Sequence, residues 1–159
     1  MSITKTIFVL CLFVIACGSL PAQTTSSQSE LASKIETAIK SQEPAWEFSP
    51  TPRDARANST VCHWKSGPEQ IDIHVFVTDS AEAAVGKLNE FAQQVPIAPK
   101  ERLKTLGDEA LMYQGVNTKA CMILFRRDNI VIHLNGSSVA DAKRFAKHLD
   151  DLFRNSKNE

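Results

Sequence analysis

Apolar and polar residues alternate along two pairs of adjacent segments, and this feature constrains the fold of the chain most. The first pair covers residues 57–65 and 70–78, and the second covers 119–127 and 130–135. A period of two residues is that of a β-strand with one buried face. Because only a short polar break separates the members of each pair, the sequence predicts two antiparallel hairpins.

The lengths of the breaks also predict the register of each hairpin. In the first hairpin, Trp64 is expected opposite Ile71, and Cys62 then lies on the same face as Trp64. In the second hairpin, the two-residue turn places Phe125 opposite Ile132. The predicted core face of the first hairpin consists of Cys62, Trp64, Ile71, Ile73, Val75 and Val77.

Stripes of apolar residues at helical spacing predict three helices. The first follows the capping box Ser27-Gln28-Ser29-Glu30 and ends near Ser41. The second begins at Asp79-Ser80 and ends before Pro96, because proline cannot continue a helix. The third begins near Ser138.

The remaining segments complete an α+β domain. Residues 43–53 are rich in proline and are interpreted as an extended connection that Trp46 and Phe48 attach to the core. Shorter extended stretches are predicted over 102–106 and 110–114. The predicted order is α-β-β-α-β-β-β-α, an antiparallel sheet of about five strands in hairpins with the helices packed on one face.

The N-terminal segment has the pattern of an export signal. Its apolar run, Ile7–Ala16, has ten residues, whereas a membrane-spanning helix needs about 20. We expect residues 1–22 to be removed as a signal peptide. In the alternative, residues 14–17 (Val-Ile-Ala-Cys) act as a bacterial lipobox, residues 1–16 are removed and Cys17 is lipidated.

The signal predicts where the mature protein resides and how it is organised. Residues 23–28 are polar and are expected to form a flexible leader, and residues 29–159 are expected to form a single domain. The mature protein is expected in the periplasm, at the outer-membrane surface or in the medium. Contact with a membrane is expected only through a lipid anchor on Cys17.

Two cysteines stay in the mature chain, Cys62 and Cys121. Exported proteins form disulfides readily, so the sequence predicts a Cys62–Cys121 bridge. Such a bridge would close a loop of about 60 residues and stabilise the fold by roughly 4 kcal/mol. The alternative is a pair of separate buried thiols.

The face of the hairpins opposite the predicted core carries the candidate binding residues, which are His63, Asp72, His74, Phe76, Leu124 and His133. Such a face is usually polar in an antiparallel sheet, so its apolar members need a cover. The N-terminal helix is the expected cover, and the alternative is a binding surface. Three imidazoles and a carboxylate also suggest a metal site if the two hairpins are neighbours.

Composition and motifs narrow the classes of function. The chain carries 18 basic and 18 acidic residues, so no overall field attracts nucleic acid. The sequence lacks GxSxG, GxGxxG and GxxxxGK[ST], the motifs of α/β-hydrolases, dinucleotide-binding domains and P-loops. No catalytic residue and no cofactor is therefore predicted, and the sequence favours a protein that is not an enzyme.

Several short features together resemble small exported domains of bacteria, many of them lipoproteins and some of them PsbP-like α/β sandwiches. These features are the Cys62-x-Trp64 strand, the hairpin and helix after it, the segment Leu106–Ala110 (LGDEA), and the closing strand pair and helix. The resemblance implies a fold and a compartment but no catalytic residue. The acids Asp108 and Glu109 are expected to serve a turn and a strand edge.

The sequence thus favours an exported, non-enzymatic domain of the cell envelope or secreted fraction. It is expected to bind a small or apolar ligand, or an envelope protein, through the sheet face that carries the histidines. Two alternatives stay open. One is a metal-binding protein or metal-dependent enzyme that uses those histidines, and the other is a purely structural or assembly role.

Overall fold

The computed structural model describes residues 23–50 and 59–155. The predicted export signal and Cys17 lie outside these residues. Three helices are present in the described part: α1 (Gln23–Gln42), α2 (Ala81–Gln94) and α3 (Val139–Asn155). The strands there are β1 (Glu47–Pro50), β2 (Ser59–Ser66), β3 (Glu69–Val77), β4 (Glu101–Arg102), β5 (Glu109–Gln114), β6 (Cys121–Arg127) and β7 (Ile130–Gly136).

The strands form one antiparallel sheet in the order β1-β2-β3-β7-β6-β5-β4. The predicted α+β class is confirmed, but the sheet of the described residues has seven strands rather than about five. The additional strands are short and lie at the two edges. At one edge, the stretch interpreted as a connection forms β1, and its final proline is tolerated there because an edge strand leaves backbone groups unpaired.

Both predicted hairpin registers are confirmed. Trp64 pairs with Ile71 and Cys62 with Ile73 in the first hairpin. Phe125 pairs with Ile132 in the second hairpin. The alternation of side chains along a strand and the turn lengths were therefore sufficient to determine which residues face each other within each hairpin.

Helices cover both faces of the sheet, and the prediction of helices on one face is wrong. Helices α1 and α3 pack on the face that carries Trp64 and Phe125, where they bury the larger core. Helix α2 packs on the opposite face over β6 and β7, against a smaller cluster that includes Leu124 and Val131. We call these the core face and the outer face.

Helix α1 begins at Gln23, before the predicted capping box. Residues 23–28 therefore belong to a helix rather than to the flexible leader that we predicted. Their composition is polar but contains neither glycine nor proline, so nothing in the segment interrupts a helix. No helix of the described residues is long and apolar enough to cross a bilayer.

The predicted Cys62–Cys121 disulfide is wrong in this fold. Both cysteines are buried free thiols on the core face. Strands β3 and β7 lie between β2 and β6, which places the two residues about 14 Å apart across the sheet. A disulfide needs Cα atoms within about 7 Å. Burial raises the pKa of the Cys62 thiol to about 12 and also raises that of Cys121.

The segment Leu106–Ala110 anchors the turn between β6 and β7, as expected for turn and edge residues. The Asp108 carboxylate accepts a hydrogen bond from the backbone N–H of Asp128 at 2.7 Å and pairs with Arg127 at 2.9 Å. Gly107 has φ +60°, and a side chain there would clash with the carbonyl oxygen of Arg126. Asp108 is therefore held in a structural network.

Candidate functional site

The sheet places the predicted binding residues on one face. Strands β3 and β7 pair directly, so the two hairpins are neighbours. His63 and Asp72 lie in one row across the sheet, and His74, His133 and Leu124 lie in the next row. Phe76 and Val131 form a third row. The six predicted residues therefore share the outer face.

Helix α2 divides this face into a covered and an open part. Leu124 is completely buried beneath it, and Phe76 contacts Phe91 of the helix with ring centroids 4.9 Å apart. The expectation that the N-terminal helix covers this face is wrong, because α1 lies on the core face. Leu124 is therefore part of a structural cluster, whereas the histidines and Asp72 are only partly buried.

His74 and His133 face each other at the border between the two parts. Their rings are stacked with centroids 5.6 Å apart, and Phe91 lies 6.0 Å from His133. Burial lowers the pKa of both histidines. The buried Nε2 of His133 has no hydrogen-bond partner among the described residues, while a side-chain hydrogen bond joins His133 to Asn135.

His63 and Asp72 form a second pair in the open part. Nδ1 of His63 is hydrogen-bonded to Oδ1 of Asp72. One ring nitrogen of His63 is thus engaged by Asp72, whereas His74 and His133 are held by ring stacking. Among the described residues, no group of three or more His, Cys, Asp or Glu side chains is arranged to hold a metal ion. The geometry of this part of the chain does not support the metal-site hypothesis.

A cleft of about 420 Å³ opens on the outer face where α2 ends. Its floor continues the row of Asp72 across the sheet through Asn135, Met122 and Tyr113. The chain that leaves α2, residues 95–97 (Val-Pro-Ile), forms one wall. The cleft exists because α2 stops at Gln94, one residue before Val95 and two before the helix-breaking Pro96.

Of the six binding residues that the sequence predicted, only Asp72 lines this cleft. The remaining floor residues could have been placed on the outer face by the alternation along their strands. Their convergence depends on the strand order, which alternation does not encode. A further signal was Ile97, which directly follows the proline that ends α2 and is 44% exposed.

The lining of the cleft combines apolar and hydrogen-bonding groups. Met122, Val95 and Ile97 present apolar surface, and Asn135 presents an amide. Among the described lining residues, Asp72 carries the only charged side chain. The cleft is therefore suited to a neutral or cationic molecule with an apolar part, and it does not suit an anion.

A groove of about 560 Å³ between α1 and α3 is a weaker candidate. It is lined mostly by polar side chains on the surfaces of the two helices, such as Ser33, Thr37 and Asp151. Its histidine, His148, is already bonded to Glu43 at 3.0 Å. We therefore regard the outer-face cleft as the candidate site.

Comparison with known proteins gives little guidance. No family model matches the chain, and no curated protein matches it. A solved structure described as a GTP binding regulator from Thermotoga maritima is 15% identical and covers 74% of this chain and 85% of its own, with a TM-score of 0.45. A likeness this distant says nothing about the activity of the present chain. The resemblance to PsbP-like exported domains stays a prediction.

Proposed function

We propose that this chain is an exported protein whose domain binds a small organic ligand in the cleft of the outer face. One observation carries the binding proposal. The cleft lies where α2 leaves part of the sheet uncovered, and its floor there consists of Asn135, Met122 and Tyr113 beside Asp72. A volume of about 420 Å³ falls within the range of small-molecule sites.

The export part of the proposal rests on the sequence. The apolar run Ile7–Ala16 and the residues after it have the organisation of a signal peptide. Cys17 offers a second route, in which a lipid anchor holds the mature domain at a membrane surface. Both routes place the cleft outside the cytoplasm, where its ligand would be a molecule of the envelope or the medium.

The chemistry of the lining defines the class of ligand. An apolar group would pack against Met122 and Ile97, and a hydrogen-bonding group would reach Asn135. Burial raises the pKa of Tyr113, so its hydroxyl stays protonated and able to donate. Asp72 favours a cationic over an anionic substituent. The proposed ligand is a neutral or cationic amphipathic molecule.

The test is a ligand-observed NMR screen of the purified protein with neutral, cationic and anionic aromatic fragments. Met122→Trp fills the cleft, and Ala38→Trp places the same bulk in the groove between α1 and α3 as the matched control. We expect neutral and cationic hits that Met122→Trp abolishes and Ala38→Trp retains. Hits that bind both variants equally, or hits confined to anions, would refute the proposal.

A further inference from the structure

Strands β1, β2 and β3 bring together three residues that are far apart in the sequence. Ser49 is the cross-strand partner of His63, and His63 is the partner of Asp72. Cross-strand partners point to the same face of a sheet. Phe48 precedes Ser49 on β1, and Trp64 follows His63 on β2. The rings of Phe48 and Trp64 contact each other in the core with centroids 5.0 Å apart. Ser49, His63 and Asp72 therefore lie side by side on the outer face.

Asp72 engages the ring of His63 through the nitrogen that a Ser-His-Asp arrangement requires. The hydrogen bond joins Nδ1 of His63 to Oδ1 of Asp72. In such an arrangement the aspartate orients the ring through Nδ1, and Nε2 accepts the proton of the serine. Asp72 lies on one side of His63 and Ser49 on the other, and Nε2 is the ring nitrogen that the bond to Asp72 leaves available to the serine.

A groove of about 210 Å³ gives access to this row, and Ser49, His63 and Asp72 all line it. The side chains of His63 and Asp72 are 39% and 40% exposed, and Ser49 is also exposed. Lys65 lines the same groove and contributes a positive charge to its wall. A cation in this position suits an oxygen that gains negative charge during attack on a carbonyl group.

We propose that Ser49, His63 and Asp72 form a catalytic site that hydrolyses small carboxylic esters. Oγ of Ser49 bonds to the carbonyl carbon as its proton passes to Nε2 of His63. The bond from that carbon to the alcohol oxygen then breaks, and His63 protonates the departing alcohol. Water repeats the sequence, which releases the acid and restores the serine. The reaction consumes only the ester and water.

In the resting structure, no hydrogen bond joins Ser49 to His63 among the described residues. A serine hydroxyl rotates about a single bond, and catalytic hydrogen bonds often form only when substrate binds. The proposed step therefore requires rotation of one side chain and no movement of the strands. This activity goes beyond ligand binding in the cleft, although the groove shares Asp72 and Gln70 with it.

The first test is covalent labelling. The purified protein is treated with a fluorophosphonate probe, digested and analysed by peptide mass spectrometry. We expect the phosphonyl group on Ser49, with labelling lost in His63→Gln. Ser33, an exposed serine on α1, is the internal control and should stay unlabelled. Absence of the group from Ser49, or equal labelling of Ser33, would overturn the proposal.

The second test is hydrolysis of 4-nitrophenyl acetate, followed by absorbance. Ser49→Ala and His63→Gln are each expected to lower kcat/KM about 100-fold, whereas Ser33→Ala leaves it unchanged. A rate in Ser49→Ala within about twofold of the parent protein would refute the catalytic role, since general acid–base catalysis contributes far more than that. Ser49 does not line the cleft, so Ser49→Ala should lose hydrolysis but retain fragment binding there, and the two proposals fail separately.

Discussion

The two faces of the sheet differ in how completely helices cover them. On the core face, α1 and α3 pack over a continuous cluster in which Trp64, Phe125 and Phe145 are almost fully buried. On the outer face, the single helix α2 covers a smaller cluster around Leu124 and ends beside an open cleft. The core face buries the larger cluster and is expected to account for most of the stability, whereas the outer face contains the exposed polar groups on which the proposed binding and catalysis depend.

The largest expected effect concerns the aromatic contacts of the two faces. Phe145 of α3 is fully buried and contacts Trp46 with ring centroids 4.8 Å apart. Phe145→Ala should lower the free energy of unfolding by about 3–5 kcal/mol. Phe91→Ala on α2, whose ring is only partly buried, should lower it by about 1–2 kcal/mol. Urea unfolding measures both, and equal losses would contradict the comparison.

A buried ion pair at the end of the core face gives the next effect. Asp150 of α3 is 2% exposed and pairs with Arg127 at 2.6 Å. Asp150→Ala leaves the Arg127 charge without this partner and should cost about 3 kcal/mol. Its sequence neighbour Asp151 forms a more exposed pair with Lys147, so Asp151→Ala should cost less than about 1 kcal/mol. Both losses are measured by thermal and urea unfolding. Similar losses in Asp150→Ala and Asp151→Ala would contradict the burial of Asp150.

The sequence predicted the structural features behind these two effects to different extents. The residues that face each other within each hairpin followed from alternation and turn length, and so did the core positions of Trp64 and Phe125. The pairing of β3 with β7 did not follow, because a hairpin sequence does not specify its neighbour in the sheet. The missing strand order also explains why the disulfide prediction was wrong, because alternation placed Cys62 and Cys121 on one face but gave no distance between them.

The candidate sites were harder to predict for the same reason. The cleft combines strand residues such as Asn135 and Tyr113 with the end of α2, and their meeting depends on tertiary packing. The Ser49 row also depends on β1, a strand in a proline-rich stretch. Proline usually argues against a strand, and only an edge position makes it acceptable.

The pH dependence of stability should differ between the two faces. Burial lowers the pKa of His74 and His133 on the outer face, with Asp72 and His63 as the charges near His74 and with His74 as the charge near His133. The unfolded chain therefore binds protons that the folded chain does not, and stability should fall as the pH drops through about 6.5. His74→Gln combined with His133→Gln should remove much of this loss in urea unfolding between pH 7.5 and 5.5.

The ion pairs that join Glu43, the residue directly after α1, to α3 provide the contrasting pH window. Burial raises the pKa of Glu43, but hydrogen bonds from His148 and Arg144 outweigh it, so that the pKa is lowered from 4.5. The ionised Glu43 carboxylate contributes to the stability of the fold above pH 4.5, and this contribution is lost as the pH falls below that value. Glu43→Gln should change stability at pH 7 and leave the loss between pH 7.5 and 5.5 intact. If the loss of stability between pH 7.5 and 5.5 disappears in Glu43→Gln, that loss arises on the core face and not from the histidines of the outer face.

The smallest expected effect concerns the reactivity of the two cysteine thiols rather than the stability of the fold. Cys62 and Cys121 are free thiols that burial protects. In folded protein neither should react with iodoacetamide, because the thiolate is scarce and shielded. In denaturant without reductant both should react, which intact mass spectrometry reads as two added groups. Reaction only after reduction would restore the disulfide and contradict the strand order.

The most direct test of the account is to map ligand contacts by two-dimensional amide NMR. The purified, isotope-labelled protein is titrated with a neutral or cationic hit from the fragment screen. We predict shifts concentrated at Ile97, Tyr113, Met122 and Asn135, with amides of α1 and α3 unchanged. Shifts concentrated between α1 and α3 would contradict the account and assign the binding surface to the core side of the molecule.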